Sequence, residues 1–318
     1  MSLSRRALVL GSAAAAAVAC SRDERSAEGG GLPPAVLSAP PAPPPSAPPS
    51  SSVRTLEWDL GAQPWGSGRA AVVVPTWGGP NARFPVLVAL HGRGEALKPP
   101  AEGALGWPRD YALVRAFDRL RSPPLIQADY EGLADPPRMA EANTSLARHP
   151  LEGLVVVCPW LPDVRPAATA DIAALSRFVL DVLLPRVRRD TPAIDGAEST
   201  GIDGVSLGGV LALRIGLMSP QLFGAVGGIQ PALSDGQEAD WTALAQSARA
   251  VRRAMRLRLL TSHQDYFRDA IVAVSHAWQR AGIAHDFAEV VGPHDYVFNR
   301  GPGSIELLLW HDRTLRRT

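Results

Sequence analysis

The twenty residues from Ser199 to Met218 constrain this chain more than any others. They read Ser-Thr-Gly-Ile-Asp-Gly-Val-Ser-Leu-Gly-Gly, then Val-Leu-Ala-Leu-Arg-Ile-Gly-Leu-Met. A short strand over Thr200–Asp203 passes through glycines into an apolar helix, which holds until Ser219-Pro220 stops it. At the junction, Gly204-Val205-Ser206-Leu207-Gly208 has the spacing of a serine carried on a sharp strand-to-helix turn, its hydroxyl clear of the sheet. The pentapeptide alone also fits an ordinary buried turn with an idle serine, so its meaning depends on the rest of the chain. Ser206 is the candidate nucleophile.

The start of the chain has a different character. Arg5 and Arg6 precede an Ala-rich apolar run, Ala7 to Ala19, that ends at Cys20. The run is too short for a permanent membrane span, so residues 1–20 are expected to be a cleaved export signal. Ser4-Arg5-Arg6 before an apolar run resembles a twin-arginine signal. Ala17-Val18-Ala19-Cys20 resembles a bacterial lipobox, with Ala17 where Leu is usual. That resemblance implies lipidation of Cys20, membrane anchoring, and a periplasmic or cell-surface location. An ordinary secretory signal with an incidental cysteine is the alternative. Residues 21–52 turn polar and then rich in Pro, Ala and Ser. They lack the apolar side chains that would offset the entropy of ordering, so an extended tether is expected.

Residues 53–318 are the right size for one α/β domain with a large core. The formal charge of the chain is +1 and its sole lysine is Lys98, so neither a basic nucleic-acid face nor an acidic tail is indicated. Of the two cysteines, Cys20 belongs to the signal. That leaves Cys158 without a disulfide partner and rules out a Cys-based metal site. No His-Glu-x-x-His pattern occurs, which disfavours a metallohydrolase.

Apolar runs alternate with helical patterns along the domain. Leu56–Leu60 and Ala70–Val74 suit an antiparallel pair, with Trp58 and Trp65 packing nearby; Pro85–Leu90 and Leu154–Cys158 suit central parallel strands buried on both faces. Asp171–Arg189 reads as a helix. Strands are expected over Gly224–Ile229, Leu257–Thr261 and Phe287–Val291, with a helix over Asp269–Ala281 before the last. The alternation predicts a three-layer α/β fold, a mostly parallel sheet with helices on both faces.

A nucleophilic serine needs a base, and the base needs an orienting acid. Asp265 follows the strand ending at Thr261, and His294 follows the strand ending at Val291; both fall where loops leave the C-terminal edge of a parallel sheet. Competing residues are His263, His276, His285 and His311 for the base, and Asp269 and Asp295 for the acid. An oxyanion hole needs two backbone N–H groups. Leu207, just after the serine, is one candidate donor, and Arg93, in Leu90-His91-Gly92-Arg93-Gly94, is the other.

Leu-His-Gly-Arg-Gly, Gly-Val-Ser-Leu-Gly-Gly and Gly-Pro-His-Asp-Tyr together resemble the α/β-hydrolase superfamily, and within it the esterase D-like and feruloyl-esterase-like group. The resemblance covers most of 53–318. It implies a serine carboxylic-ester hydrolase acting on a small-molecule or polymer-borne ester without metal or cofactor, with Ser206 as nucleophile, His294 as base and Asp265 as acid. An acyltransferase or peptidase could use the same residues, and a catalytically inactive, tethered surface-binding lipoprotein could retain them. About 58 residues, 95–152, depart from the family pattern. Helices are expected near Ala112–Leu120 and Arg138–Ala147, with Trp107, Tyr111, Phe117 and Tyr130 in the core. Part of this insertion is expected to form a cap over the acyl or alcohol pocket.

Overall fold

Eight strands, β1 (Val53–Gln63), β2 (Gly66–Pro75), β3 (Val86–Leu90), β4 (Val155–Pro159), β5 (Thr200–Gly204), β6 (Ala225–Ile229), β7 (Arg256–Gln264) and β8 (Asp286–Pro293), join into one sheet. Their order is β1-β2-β4-β3-β5-β6-β7-β8. β1 and β2 are antiparallel, β2 runs antiparallel to β4, and all pairs from β4 to β8 are parallel. This computed structural model describes residues 51–164 and 169–317. The export signal, Cys20 and residues 21–50 of the tether lie outside the described residues.

β3 and β4 carry five buried residues each, with no polar alternation, because helices cover both of their faces. Alternate side chains serve opposite layers. Val86, Val88, Leu90, Val155 and Val157 face a core shared with the helical stretch 169–190 and with the helices Leu207–Met218, Glu238–Val251 and Arg268–Arg280. Leu87, Ala89, Val156 and Cys158 face the other core, with the helices Leu113–Arg121, Pro136–Arg148 and Ser304–Thr314. The expected three layers are present.

Two local differences from expectation have physical causes. The helix expected over 171–189 widens into a π-type stretch at Phe178–Leu183, next to Pro185, whose ring nitrogen has no hydrogen to donate. Ser51 and Ser52, expected in the tether, are tied to the domain: the Ser52 N–H (2.7 Å) and Oγ (2.6 Å) both donate to Asp118 Oδ1.

Beneath the strand-to-helix junction, β5 buries a charge. Asp203 accepts from Arg258 Nη2 at 2.7 Å, His311 Nε2 at 3.0 Å and the Gly204 N–H at 2.7 Å. Arg258 also donates to the Glu306 carbonyl and lies over the Trp310 ring, 4.6 Å from its centroid. These contacts pin the helix Ser304–Thr314 and β7 to β5. Burial alone would raise the Asp203 pKa, but Arg258 and His311 outweigh it and hold the carboxyl below its ordinary value.

Much of the segment 95–152, part of which is expected to cap the pocket, packs against the sheet. Its helices stand close to where they were expected, but Trp107, Leu113, Phe117 and Leu120 are fully buried and belong to the core containing Leu87, Ala89 and Val156. Most of this insertion is therefore a sheet-covering layer in the crossover from β3 to β4. Among the described residues, no helix is long and apolar enough to cross a membrane. If the segment is core, Phe117→Ala should cost about 3–5 kcal/mol in denaturant unfolding. A cost under about 1 kcal/mol would instead fit a peripheral cap.

Candidate active site

The chain leaves β5 at Gly204 and enters the helix Leu207–Met218 with only Val205 and Ser206 between. Ser206 takes φ 58° and ψ −118°, a left-handed conformation that costs a residue with a Cβ about 1–3 kcal/mol. Neighbouring strands hold it there. The Ser206 N–H donates to the Ile229 carbonyl at 3.0 Å and the Val205 N–H to the Leu90 carbonyl at 3.1 Å, while the Ser206 carbonyl accepts from the N–H groups of Val210 and Ala232. A Cβ at Gly208 would collide with the carbonyl oxygens of Leu90 and His91, so only glycine lets the helix start so close to β3.

Asp265 follows directly on β7 and His294 on β8. The Asp265 side chain is fully buried; Oδ1 accepts from His294 Nδ1 at 2.8 Å and from the Phe267 N–H at 3.0 Å, and Oδ2 accepts from Thr261 Oγ1 at 2.8 Å. An acceptor at Nδ1 fixes the proton there and leaves the Nε2 lone pair free, the tautomer a general base requires. The His294 ring lies against Tyr266 (centroids 4.3 Å apart) and Phe267 (5.4 Å). The other acids have different partners: Asp295 caps the turn Tyr296–Phe298 by accepting the Phe298 N–H, and Asp269 is exposed beside Arg268. So do the other histidines. His263 is exposed near Glu289, His276 is exposed, His285 bonds Ser275, and His311 bonds Asp203.

Two contacts draw the His294 loop back across the sheet edge toward Ser206. Gln230, next to Ile229, has φ 43° and donates through Nε2 to Ser262 Oγ at 2.6 Å and to the Pro293 carbonyl at 3.0 Å. Tyr296 Oη donates to Glu95 Oε1 at 2.6 Å, in the loop after β3. Among the described residues no hydrogen bond joins Ser206 Oγ to His294. In a ligand-free hydrolase that contact commonly tightens only with substrate.

Leu207 and Arg93 each open a helical turn, so their N–H groups have no intrahelical acceptor. The Gly92 N–H, by contrast, is taken by Tyr111 Oη at 3.1 Å. The Arg93 side chain is turned to Asp163, with Nη2 at 2.9 Å, so this residue offers the site its backbone. His91 braces the same loop: Nε2 accepts the Leu161 N–H at 3.0 Å, which leaves the proton on Nδ1, 2.9 Å from the Gly92 carbonyl.

No protein-family model matches the chain, and no curated protein matches it by sequence. Solved structures do match. A ferulic acid esterase superposes with a TM-score of 0.60 at 14% identity, over 83% of this chain and 99% of that one. An S-formylglutathione hydrolase from Staphylococcus aureus gives 0.56 at 16% identity, over 83% and 98%. A fluorophosphonate-binding serine hydrolase from the same organism, solved with substrate bound, gives 0.57 at 14% identity, over 82% and 98%. The fold is the α/β-hydrolase fold. At these identities the likeness is one of fold.

Within this α/β-hydrolase fold, Ser206, Asp265 and His294 follow β5, β7 and β8 on one sheet edge, with Arg93 after β3. Sequence patterns do not single out Glu95, Tyr111, Gln230 or Tyr296 as polar participants in the site. The only local signal for Glu95 was its place beside the Gly-rich loop. Among the described residues no three His, Cys, Asp or Glu side chains cluster as metal ligands would.

Burial holds the imidazoles of His91 and His311 below their ordinary pKa of 6.5. His311 Nδ1 has no partner, so a proton there would be buried without an acceptor. Both histidines pick up protons near pH 6.5 when unfolded but only at lower pH when folded. Their contribution to stability is thus full above about pH 6.5 and drains as the pH falls toward the lowered folded values. The melting temperature should therefore drop between pH 7.5 and 5.5; an unchanged or higher value at pH 5.5 would contradict this.

Proposed function

We propose that this protein is a serine carboxylic-ester hydrolase working through an acyl-enzyme on Ser206. The observation that carries the reading is the buried Asp265 carboxylate holding His294 by Nδ1, on the sheet edge where Ser206 stands at a strained strand-to-helix turn. The names of the similar structures, a ferulic acid esterase and two hydrolases, support it by analogy of fold.

His294 Nε2 takes the Ser206 proton as Oγ attacks the ester carbonyl carbon. The carbonyl π electrons move onto oxygen, which the Leu207 and Arg93 N–H groups receive. Collapse of the tetrahedral species breaks the C–O bond, and the alcohol leaves with the proton from His294. Water, deprotonated by the same imidazole, then attacks the acyl carbonyl. The carboxylic acid departs and Ser206 is regenerated. The arrangement needs no metal or cofactor.

The purified protein should be labelled by a fluorophosphonate probe and should turn over p-nitrophenyl esters. Ser206→Ala should abolish labelling and lower kcat by about 10⁶, and Asp265→Asn should lower it by about 10⁴. A folded wild-type protein that neither labels nor turns over would sink the reading and leave an inactive surface-binding protein in its place. Esters against amides, and an added alcohol acceptor, separate hydrolysis from peptidase and transferase activity.

Export and lipid attachment at Cys20 belong to the same proposal and rest on residues 1–20. Cys20→Ser should move the protein from the membrane to the soluble fraction. Unchanged membrane association would count against the anchor.

A further inference from the structure

We propose that Glu95 is a positioning residue that fixes the loop carrying His294 to the loop carrying the Arg93 N–H; the inference rests on the catalytic reading of Ser206 and His294 above. Glu95 is fully buried and lies two residues after Arg93. Its carboxylate is met by three donors. Oε2 accepts from Tyr111 Oη, and Oε1 accepts from Tyr296 Oη at 2.6 Å and from Lys98 Nζ at 3.3 Å. Tyr111 extends the link, because its oxygen also accepts the Gly92 N–H. Tyr296 provides the other end: it stands two residues after His294 and opens the turn Tyr296–Phe298. One carboxylate therefore joins the backbone on both sides of the reacting atoms, across 201 positions of sequence.

The surroundings are shaped for this contact. A Cβ at Gly94 would lie 2.5 Å from Tyr296 Oη, so a side chain there would displace the hydroxyl from Glu95. The Trp160 indole N–H donates to the Glu95 carbonyl at 3.1 Å and holds the backbone that carries the carboxylate. The rings of Tyr111 and Tyr296 lie 5.7 Å apart, and each meets a different oxygen of the carboxylate. Burial and Glu95 together push the Tyr296 phenol up to about 12 and the Tyr111 phenol well above its ordinary value. Both phenols stay protonated donors throughout the working pH range.

A buried carboxylate without donors is costly, and one with three is a rigid node. A neutral amide in its place must face one of the two phenols with its NH₂ group, which breaks the single chain of bonds from Gly92 through Tyr111 and Glu95 to Tyr296. Slippage of the imidazole relative to the oxyanion N–H groups by about 1 Å costs up to about 100-fold in rate.

The test compares wild type, Tyr296→Phe, Glu95→Gln and the double variant on p-nitrophenyl esters. The readouts are kcat per active site titrated with a fluorophosphonate, KM, and melting temperature. Tyr296→Phe keeps Glu95 with Lys98 and Tyr111 and removes only the tie to the His294 loop, so it decides the matter even if Glu95→Gln folds poorly. Each single variant should lose about 10- to 100-fold in kcat per titrated site, with KM within about threefold of wild type. The double variant should be no worse than the more impaired single, because both break one link. Tyr296→Phe within twofold of wild type, or costs that multiply in the double variant, would overturn the proposal. Wild-type labelling alongside such a result sinks this inference alone. A wild type that neither labels nor turns over sinks the catalytic reading and this inference with it.

Discussion

The backbone of Ser206 is the constraint on which the rest depends. A residue with a Cβ does not rest at φ 58° and ψ −118° unless its surroundings leave no alternative. Here the surroundings are the ends of β3 and β6, which take the N–H groups of Val205 and Ser206. Those acceptors exist only because β5 lies between β3 and β6 in the sheet, and β5 in turn is locked from below by the Asp203, Arg258 and His311 contacts. Strain at Ser206 is thus secured by a buried charge only three residues before it in the chain.

The same sheet order decides which loops can meet. β3, β5, β6, β7 and β8 are parallel neighbours, so the loops after them open on one edge. β8 is three strands from β5, farther than a histidine side chain reaches on its own. The loop after it must fold back, and Gln230 and Glu95 hold it there. The imidazole is therefore aimed by residues that do not touch it, while Asp265 sets its tautomer.

Much of this was legible in the sequence because it is locally encoded. Continuous apolar runs marked β3 and β4. Strand-then-loop placement singled out Asp265 and His294, and the structure brings these two into contact. The glycine-spaced Ser206 signalled its turn by the absence of side chains around it. What was not legible is pairing between distant positions. Glu95 in a Gly-rich loop reads as a solvated charge until Tyr111 and Tyr296 are seen to close over it. Asp203 within a strand gives no hint of Arg258 and His311, and the apolar faces of 95–152 look alike whether they cover a sheet or a pocket. Composition places Ser51 and Ser52 in the tether because it carries no information about their bonds to Asp118.

The placement of the phenols has a consequence for spectroscopy. The chain has four tyrosines, and three of them border the site: Tyr111 and Tyr296 on Glu95, and Tyr266 on the His294 ring. The eight tryptophans will dominate the ultraviolet emission, but a fluorine nucleus carried on tyrosine would resolve into four resonances. Only that of Tyr130 would be a bystander, and the other three would make the magnetic spectrum of this protein largely a record of its candidate active-site edge.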